Sequence, residues 1–481
     1  MRLPSLVLLV ILGLLTNQSR AFNGAWEKLH REPPVRGIPS RDVPSVDVKW
    51  ISQKVDNFDP QNPSTWSMRY MEIDDYYSPG GPFFIFLGGE WEISGVSIQR
   101  GHFHDMAREL GARIFYTEHR YYGKSRPTPN TATHLLKYLN IDQALADLAH
   151  FIVEMRATIP GAENAKVFIA GGSYSATMVA WFRQKYPHLV NGGWASSAPL
   201  LAKMDFVEYK EVVSESIRLV GGESCANRIA GAYQQVEALL DAEEYDTVIE
   251  KFRLCNNTDF SNRLDKMAFL STMSDYFAGI VQYHQEGDIE GVICEYLNND
   301  RHASDIDALA AWITQWSNRC MDISYDSSVQ YYSNTDWNHP ANAGIMRLWL
   351  YQTCAEYGWY QTSGSEDQIF GSGFPVDLFV ELCYDLYGRM FTESRMESNI
   401  DRTNAIYGDM NPAVTNVFFT QGQLDPWRPM GLQEDLNEDS PTVVIPLASH
   451  CADFGSISEY DSPEMRATKE RVFELAKQWL S

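Results

Sequence analysis

Ser173 lies in the run Gly171-Gly172-Ser173-Tyr174-Ser175, directly after the apolar run Lys166-Val167-Phe168-Ile169-Ala170 and before a helical stretch from Ala176 to Tyr186 that Pro187 stops. A serine hydroxyl is a weak nucleophile near neutral pH. Catalysis needs it exposed on a strained strand-to-helix turn, beside a base, with backbone N–H groups aimed at the forming oxyanion. The G-x-S-x-G pattern of such a turn is met at Gly171 and Ser173 but not at its last position, where Ser175 replaces glycine. The strand before and the helix after supply the context that this chemistry requires.

A serine nucleophile also needs an acid and a histidine, which in α/β hydrolases follow it in that order on loops after strands. Residues 414–420 read as a strand running into Gln421-Gly422-Gln423-Leu424-Asp425-Pro426-Trp427, and 442–446 as one running into Leu447-Ala448-Ser449-His450. Asp425 and His450 therefore stand in the right order and context. Taken singly, Asp425 is a turn aspartate before proline and His450 a loop histidine. Asp453 is a rival acid, but three residues from His450 it would have to double back to orient the ring. His102-Phe103-His104-Asp105 has no companion cluster, so no catalytic metal is expected. Ser196-Ser197 follow the short strand 193–195 without an elbow and read as structural. No G-x-G-x-x-G follows a strand, so no nucleotide cofactor is expected.

The elements that would position these residues form an α/β pattern. Phe83-Phe84-Ile85-Phe86-Leu87, ended by Gly88-Gly89, and Arg113-Ile114-Phe115-Tyr116-Thr117 are continuous apolar runs, as in strands buried on both faces of a mostly parallel sheet with helices on both sides. Between Asn140 and Pro160, Ile141, Leu145, Leu148, Ile152 and Met155 recur at helical spacing, with Asn140 available as a cap. From about 201 to 400 long amphipathic stretches such as 232–253 and 305–316 dominate, which predicts a helical cap inserted between core segments 45–200 and 401–481. The aromatic run from Trp349 to Tyr360 reads as core, although insert aromatics can also wall a hydrolase cleft.

Composition narrows the class further. The 481 residues include 63 acidic and 39 basic side chains, a formal net charge of −24, with 44% apolar and 13% aromatic residues. The apolar content excludes a disordered chain, and the acidic balance without basic clusters argues against nucleic acid as a partner. Met1-Arg2, the apolar run 6–15 and the small-residue exit near Ala21 read as a secretory signal peptide over 1–21. No later stretch is apolar enough for a membrane anchor, so a lumenal or extracellular product is expected. Cys225, Cys255, Cys294, Cys320, Cys354 and Cys383 cluster in the expected insert, and in an oxidising compartment they allow up to three disulfides whose pairing spacing alone does not give. Cys451 is left over. Asn256 heads a glycosylation sequon, Asn256-Asn257-Thr258.

Nearly all of the chain after the signal resembles the serine peptidase family that includes lysosomal Pro-X carboxypeptidase, dipeptidyl peptidase II and thymus-specific serine protease. The resemblance rests on Val55-Asp56-Asn57-Phe58, Gly88-Gly89-Glu90, Glu118-His119-Arg120-Tyr121-Tyr122-Gly123-Lys124-Ser125, Gln143-Ala144-Leu145-Ala146-Asp147, Gly171-Gly172-Ser173-Tyr174 and Leu424-Asp425-Pro426-Trp427. Trp349-Leu350-Tyr351-Gln352-Thr353-Cys354 and Ser449-His450-Cys451 are most similar to the thymus-specific branch. The resemblance implies an α/β-hydrolase core with a helical cap, and hydrolysis of peptides after proline near a chain end. It also implies secretion or a lysosomal address, and members that are often homodimers. By the same resemblance Ser173 is the nucleophile, His450 the general base and Asp425 its orienting acid, with oxyanion donors from the Tyr174 N–H and the Gly89 loop. It further implies the pairs Cys225–Cys294, Cys255–Cys320 and Cys354–Cys383. Where the family has Gly-Gly-Met after Ser-Tyr, this chain has Ser175-Ala176-Thr177, which crowds the elbow and places the polar Thr177 near the expected proline pocket beside Trp427. Glu90 and Arg120 are candidates to hold a substrate ammonium and a substrate carboxylate, respectively. An esterase using the same three residues and a hydrolase-like binding protein are the competing readings.

Overall fold

The computed structural model describes residues 30–35, 46–343 and 345–481. The expected signal peptide lies outside them. The chain divides into two compact units. One holds Met204–Ser333 and Trp359–Thr392, the other His30–Lys203, Asn334–Gly358 and Glu393–Ser481. The insert expected over 201–400 is thus narrower than its sequence texture: 334–358 and 393–400 group with the sheet.

The larger unit is built on eight strands: β1 (Val48–Lys54), β2 (Thr65–Ile73), β3 (Phe83–Leu87), β4 (Arg113–Thr117), β5 (Val167–Gly172), β6 (Gly192–Ser196), β7 (Val417–Gly422) and β8 (Thr442–Ile445). Their spatial order is β1-β2-β4-β3-β5-β6-β7-β8, with β1 and β2 antiparallel to their neighbours and every other pairing parallel. This order is that of an α/β-hydrolase fold. All five residues of β3 and all six of β5 are buried, which is why they read as unbroken apolar runs.

Successive side chains of β3 face opposite sides of the sheet, and helices cover both. On one side Phe84 and Phe86 join a core with Phe103 and Met106 of α1 (His102–Glu109) and with Val472, Leu475 and Trp479 of the C-terminal helix. On the other, Phe83 meets Phe115 edge-on at 5.2 Å, and Phe115 meets Phe151 of α2 (Ile141–Thr158) at 5.4 Å. Asn140 caps α2 as expected, accepting the Gln143 N–H. Helix α3 (Tyr174–Lys185) begins two residues earlier than the apolar pattern suggests, directly after Ser173. The C-terminal helix, α4 (Pro463–Leu480), starts with Ser462 as N-cap and proline in its first turn.

The smaller unit is mostly helical. Its long members are Glu223–Asp241, Arg263–Gln282 and Asp377–Tyr387. The stretch 232–253, continuous by pattern, is broken after Asp241, where Glu243 takes a positive φ of 58° before the helix Tyr245–Phe252 begins. Phe277 stacks on Trp312 at 4.4 Å, and Lys210 is buried against Asp275 at 2.8 Å. Cys225–Cys294 and Cys255–Cys320 are disulfides within this unit, and Cys383 here and Cys354 of the larger unit are disulfide-bonded as well. Oxidised cysteines of this number fit the secretory pathway. Among the described residues no helix is long and apolar enough to cross a membrane.

Candidate active site

Strand β5 ends in Gly171-Gly172, and the chain then reverses at Ser173 with φ 59° and ψ −134° before entering α3. A non-glycine residue at such angles costs of order 1–3 kcal/mol and must be held by its surroundings. The Ser173 N–H donates to the Ser196 carbonyl at the tip of β6 (3.0 Å), while the Ser173 carbonyl accepts the Ala176 N–H at 2.9 Å. Ser175, the departure from glycine, is buried. Its Oγ accepts the Gly172 N–H at 3.0 Å and donates to the Gly172 carbonyl at 2.9 Å. The serine therefore closes the elbow on itself instead of forcing it open. Gly172 has no room for a side chain, since a Cβ there would stand 2.7 Å from the Phe454 ring and 3.0 Å from Cys451 Sγ.

Asp425 and His450 come together from the loops after β7 and β8. His450 Nδ1 lies 2.9 Å from both carboxylate oxygens of Asp425, and both side chains are fully buried. Asp425 Oδ1 also accepts the Trp427 N–H at 2.9 Å. The two loops are tied directly, because the Leu424 N–H donates to the Ala448 carbonyl at 2.8 Å and the Leu447 N–H to Gln423 Oε1 at 3.0 Å. Burial disfavours the charged imidazole. The Asp425 charge and hydrogen bond, with a smaller contribution from Cys451, outweigh it and hold the His450 pKa well above its ordinary value. With Nδ1–H donating to Asp425, Nε2 is the basic ring nitrogen.

The elbow and the histidine loop share the tip of β6. The Ser196 carbonyl that accepts the Ser173 N–H lies 3.7 Å from Cys451 Sγ, and the Cys451 N–H donates to Ser197 Oγ at 2.9 Å. Cys451 is a buried free thiol. Asp453 turns away from His450, its carboxylate taken by Ser196 and Thr420. Ser196 and Ser197, which the sequence marks only as structural, are the junction of the site.

The Tyr174 N–H, first in α3, has no acceptor within the helix, as its position requires. On the facing loop the Gly88 N–H donates to the Thr117 carbonyl at 2.8 Å, while Gly89 makes no backbone hydrogen bond among the described residues. That loop is anchored by Glu118, which accepts from Arg69, from the Ile93 N–H and from Ser125 Oγ. The Tyr174 hydroxyl is buried in a polar cluster: it accepts from Gln352 Nε2 at 3.0 Å and from the Tyr357 hydroxyl at 3.2 Å, and lies 3.1 Å from His119 Nε2. Burial drives the His119 pKa down to about 3 and pushes Glu356, a partner of Gln352, up to about 7. Sequence reasoning missed this cluster. Its signal was Gln352 and Glu356, two polar residues inside an otherwise aromatic run.

Arg120 is corrected by its surroundings. It is fully buried, and its five N–H groups are all consumed: two by Asp147, and one each by the carbonyls of Val55, Tyr138 and Lys54. It has no donor left for a substrate carboxylate. Glu90 is buried with Oε1 3.6 Å from His30 Nδ1, and among the described residues Oε2 has no hydrogen-bond partner. Thr177 is buried with its hydroxyl donating to the Pro199 carbonyl at 2.7 Å, and Trp427 is buried beside Asp425. His102 is committed to the Lys469 carbonyl at 2.6 Å, and Asn256 is exposed in a turn.

A family profile described as Serine carboxypeptidase S28 matches residues 53–472. The chain belongs to the serine carboxypeptidase S28 family. The S28 match runs from β1 into α4 and so takes in described parts of both compact units. Among curated S28 relatives, the chain is 31% identical over 450 residues to thymus-specific serine protease of Mus musculus, covering 90% of this chain and 87% of that protein. It is 28% identical over 454 residues to lysosomal Pro-X carboxypeptidase of Bos taurus, covering 90% and 88%. The protein is thus a member of a serine peptidase family.

Proposed function

We propose that the protein is a serine exopeptidase of the secretory pathway that cleaves peptide bonds after proline near a chain end, with Ser173 as nucleophile, His450 as general base and Asp425 as orienting acid. The observation that carries this reading is the Asp425–His450 pair on loops pinned to the same β6 tip that holds the strained Ser173 turn. Ser173 Oγ attacks the scissile carbonyl while His450 Nε2 takes its proton. The N–H groups of Tyr174 and Gly89 receive the oxyanion. His450 then protonates the leaving amine, and water resolves the acyl-enzyme with His450 again as base.

Proline preference is supported by Trp427, held beside the triad acid through its own N–H, and by Thr177, whose hydroxyl is already satisfied by Pro199. Arg120 has no donor to spare, whereas Glu90 Oε2 has no hydrogen-bond partner among the described residues, which supports a free substrate ammonium and dipeptidyl cleavage. The likeness to a lysosomal relative supports a lysosomal address among the secretory destinations. The test is turnover of proline-containing peptides with free and blocked termini. Ser173→Ala is expected to abolish hydrolysis with an unchanged unfolding midpoint, and retained hydrolysis contradicts the assignment.

A further inference from the structure

We propose that Asp453 is a positioning residue, which with Ser196 and Thr420 forms a clamp fixing the His450 loop over the strand ends that carry Ser173. The inference rests on the Ser173–His450 reading above. Gly172 of β5 pairs in register with Ser196 of β6, and Ser196 with Thr420 of β7, so the three stand in one row across the sheet. The loop after His450 lies across that row. Cys451 Sγ and the Phe454 ring cover Gly172, the residue before Ser173, so closely that a Cβ there would clash. One step along, Asp453 Oδ1 accepts Ser196 Oγ–H at 2.6 Å and Oδ2 accepts Thr420 Oγ1–H at 2.5 Å. Trp194 Nε1–H donates to Thr420 Oγ1 at 3.2 Å, which directs the threonine proton towards Asp453.

The clamp bears on both reacting groups. Ser196 binds Asp453 through its hydroxyl and the Ser173 N–H through its carbonyl, so one residue joins the histidine loop to the nucleophile turn. Cys451 sits in the left-handed region at φ 50° with its N–H on Ser197 Oγ, and Asp453, two residues on, ties the loop to the side chains of β6 and β7. A carboxylate accepts from two hydroxyls at once, whereas an amide keeps one acceptor oxygen and turns a donor on the other hydroxyl. Releasing one arm lets the His450 loop shift relative to Ser173, and displacements on the order of 1 Å cost about 100-fold in rate.

The test compares Asp453→Asn, Thr420→Val and Thr420→Ser with the wild type in peptide turnover and in the rate of fluorophosphonate labelling. Asp453→Asn is expected to lower kcat and the labelling rate about 10- to 100-fold, with KM changed by no more than about twofold. Thr420→Val is expected to move the same way and Thr420→Ser to restore wild-type kcat. A folded Asp453→Asn protein with wild-type kcat and labelling rate overturns the clamp. If that variant does not fold, the threonine pair decides: equal kcat in the valine and serine variants overturns the clamp as well. A wild-type protein that takes no probe overturns the Ser173 reading instead.

Discussion

Asp425 presents both carboxylate oxygens to His450 Nδ1 at 2.9 Å while Oδ1 also accepts the Trp427 N–H, so its carboxylate is held by the chain it precedes and aimed at the imidazole. The same charge raises the pKa of the imidazole against the opposing effect of burial. In the proposed reaction His450 must be neutral to accept a proton. Asp425→Asn removes that charge and the acceptor for Nδ1–H. We expect kcat to fall on the order of 10⁴-fold, with the acidic limb of kcat against pH moving to lower pH. A limb that stays in place contradicts the coupling.

Glu356 gives stability a pH dependence of defined sign. Burial raises its pKa from 4.5 to about 7 in the folded chain, against the opposing bonds from the Ile141 N–H, Gln352 and Tyr357. The folded state thus keeps a proton that the unfolded state releases, and stability falls as pH rises through this window. Between about pH 4 and pH 8 the loss amounts to about 3 kcal/mol. Glu356→Gln is expected to flatten this part of the profile in chemical denaturation at a series of pH values. An unchanged slope contradicts the assignment.

Ser175 is expected to stabilise the elbow without taking part in the chemistry. Ser175→Ala removes the partner of the Gly172 N–H and should cost about 1–3 kcal/mol. Peptide turnover at a temperature where the variant is folded should stay within a few-fold of wild type. A large loss of kcat with unchanged stability would place the hydroxyl in the reaction.

Arg120 separates a structural role from substrate recognition. Arg120→Gln leaves Asp147 buried without its charge partner and is expected to cost about 3–5 kcal/mol. KM for peptides with a free carboxylate should not respond selectively. A selective rise in that KM at preserved stability would return Arg120 to the binding site.

The Ser173 turn and the two later loops were legible as places in the fold because each candidate stands directly after a strand readable as an apolar run. The features that escaped depend on contacts between distant segments. The Tyr174 cluster draws His119 from one distant stretch and Gln352 and Tyr357 from another, and nothing near residue 174 announces them. Arg120 looked available because sequence does not show that Asp147, a turn and a half into α2, and three strand- and loop-end carbonyls converge on it. Asp453 was visible as an acid near His450, but its direction is set by β6 and β7. The helices 346–352 and 393–407 share the cap's composition while grouping with the sheet, so composition alone does not bound the insert.

The most direct measurement is to incubate the purified protein and its Ser173→Ala variant with a fluorophosphonate probe and locate the adduct by mass spectrometry. The account predicts one adduct, on Ser173, absent from the variant. Labelling at another residue, or none at any pH between about 5 and 10, a range that extends past the ordinary imidazole titration to cover a base whose pKa is held up, would contradict it.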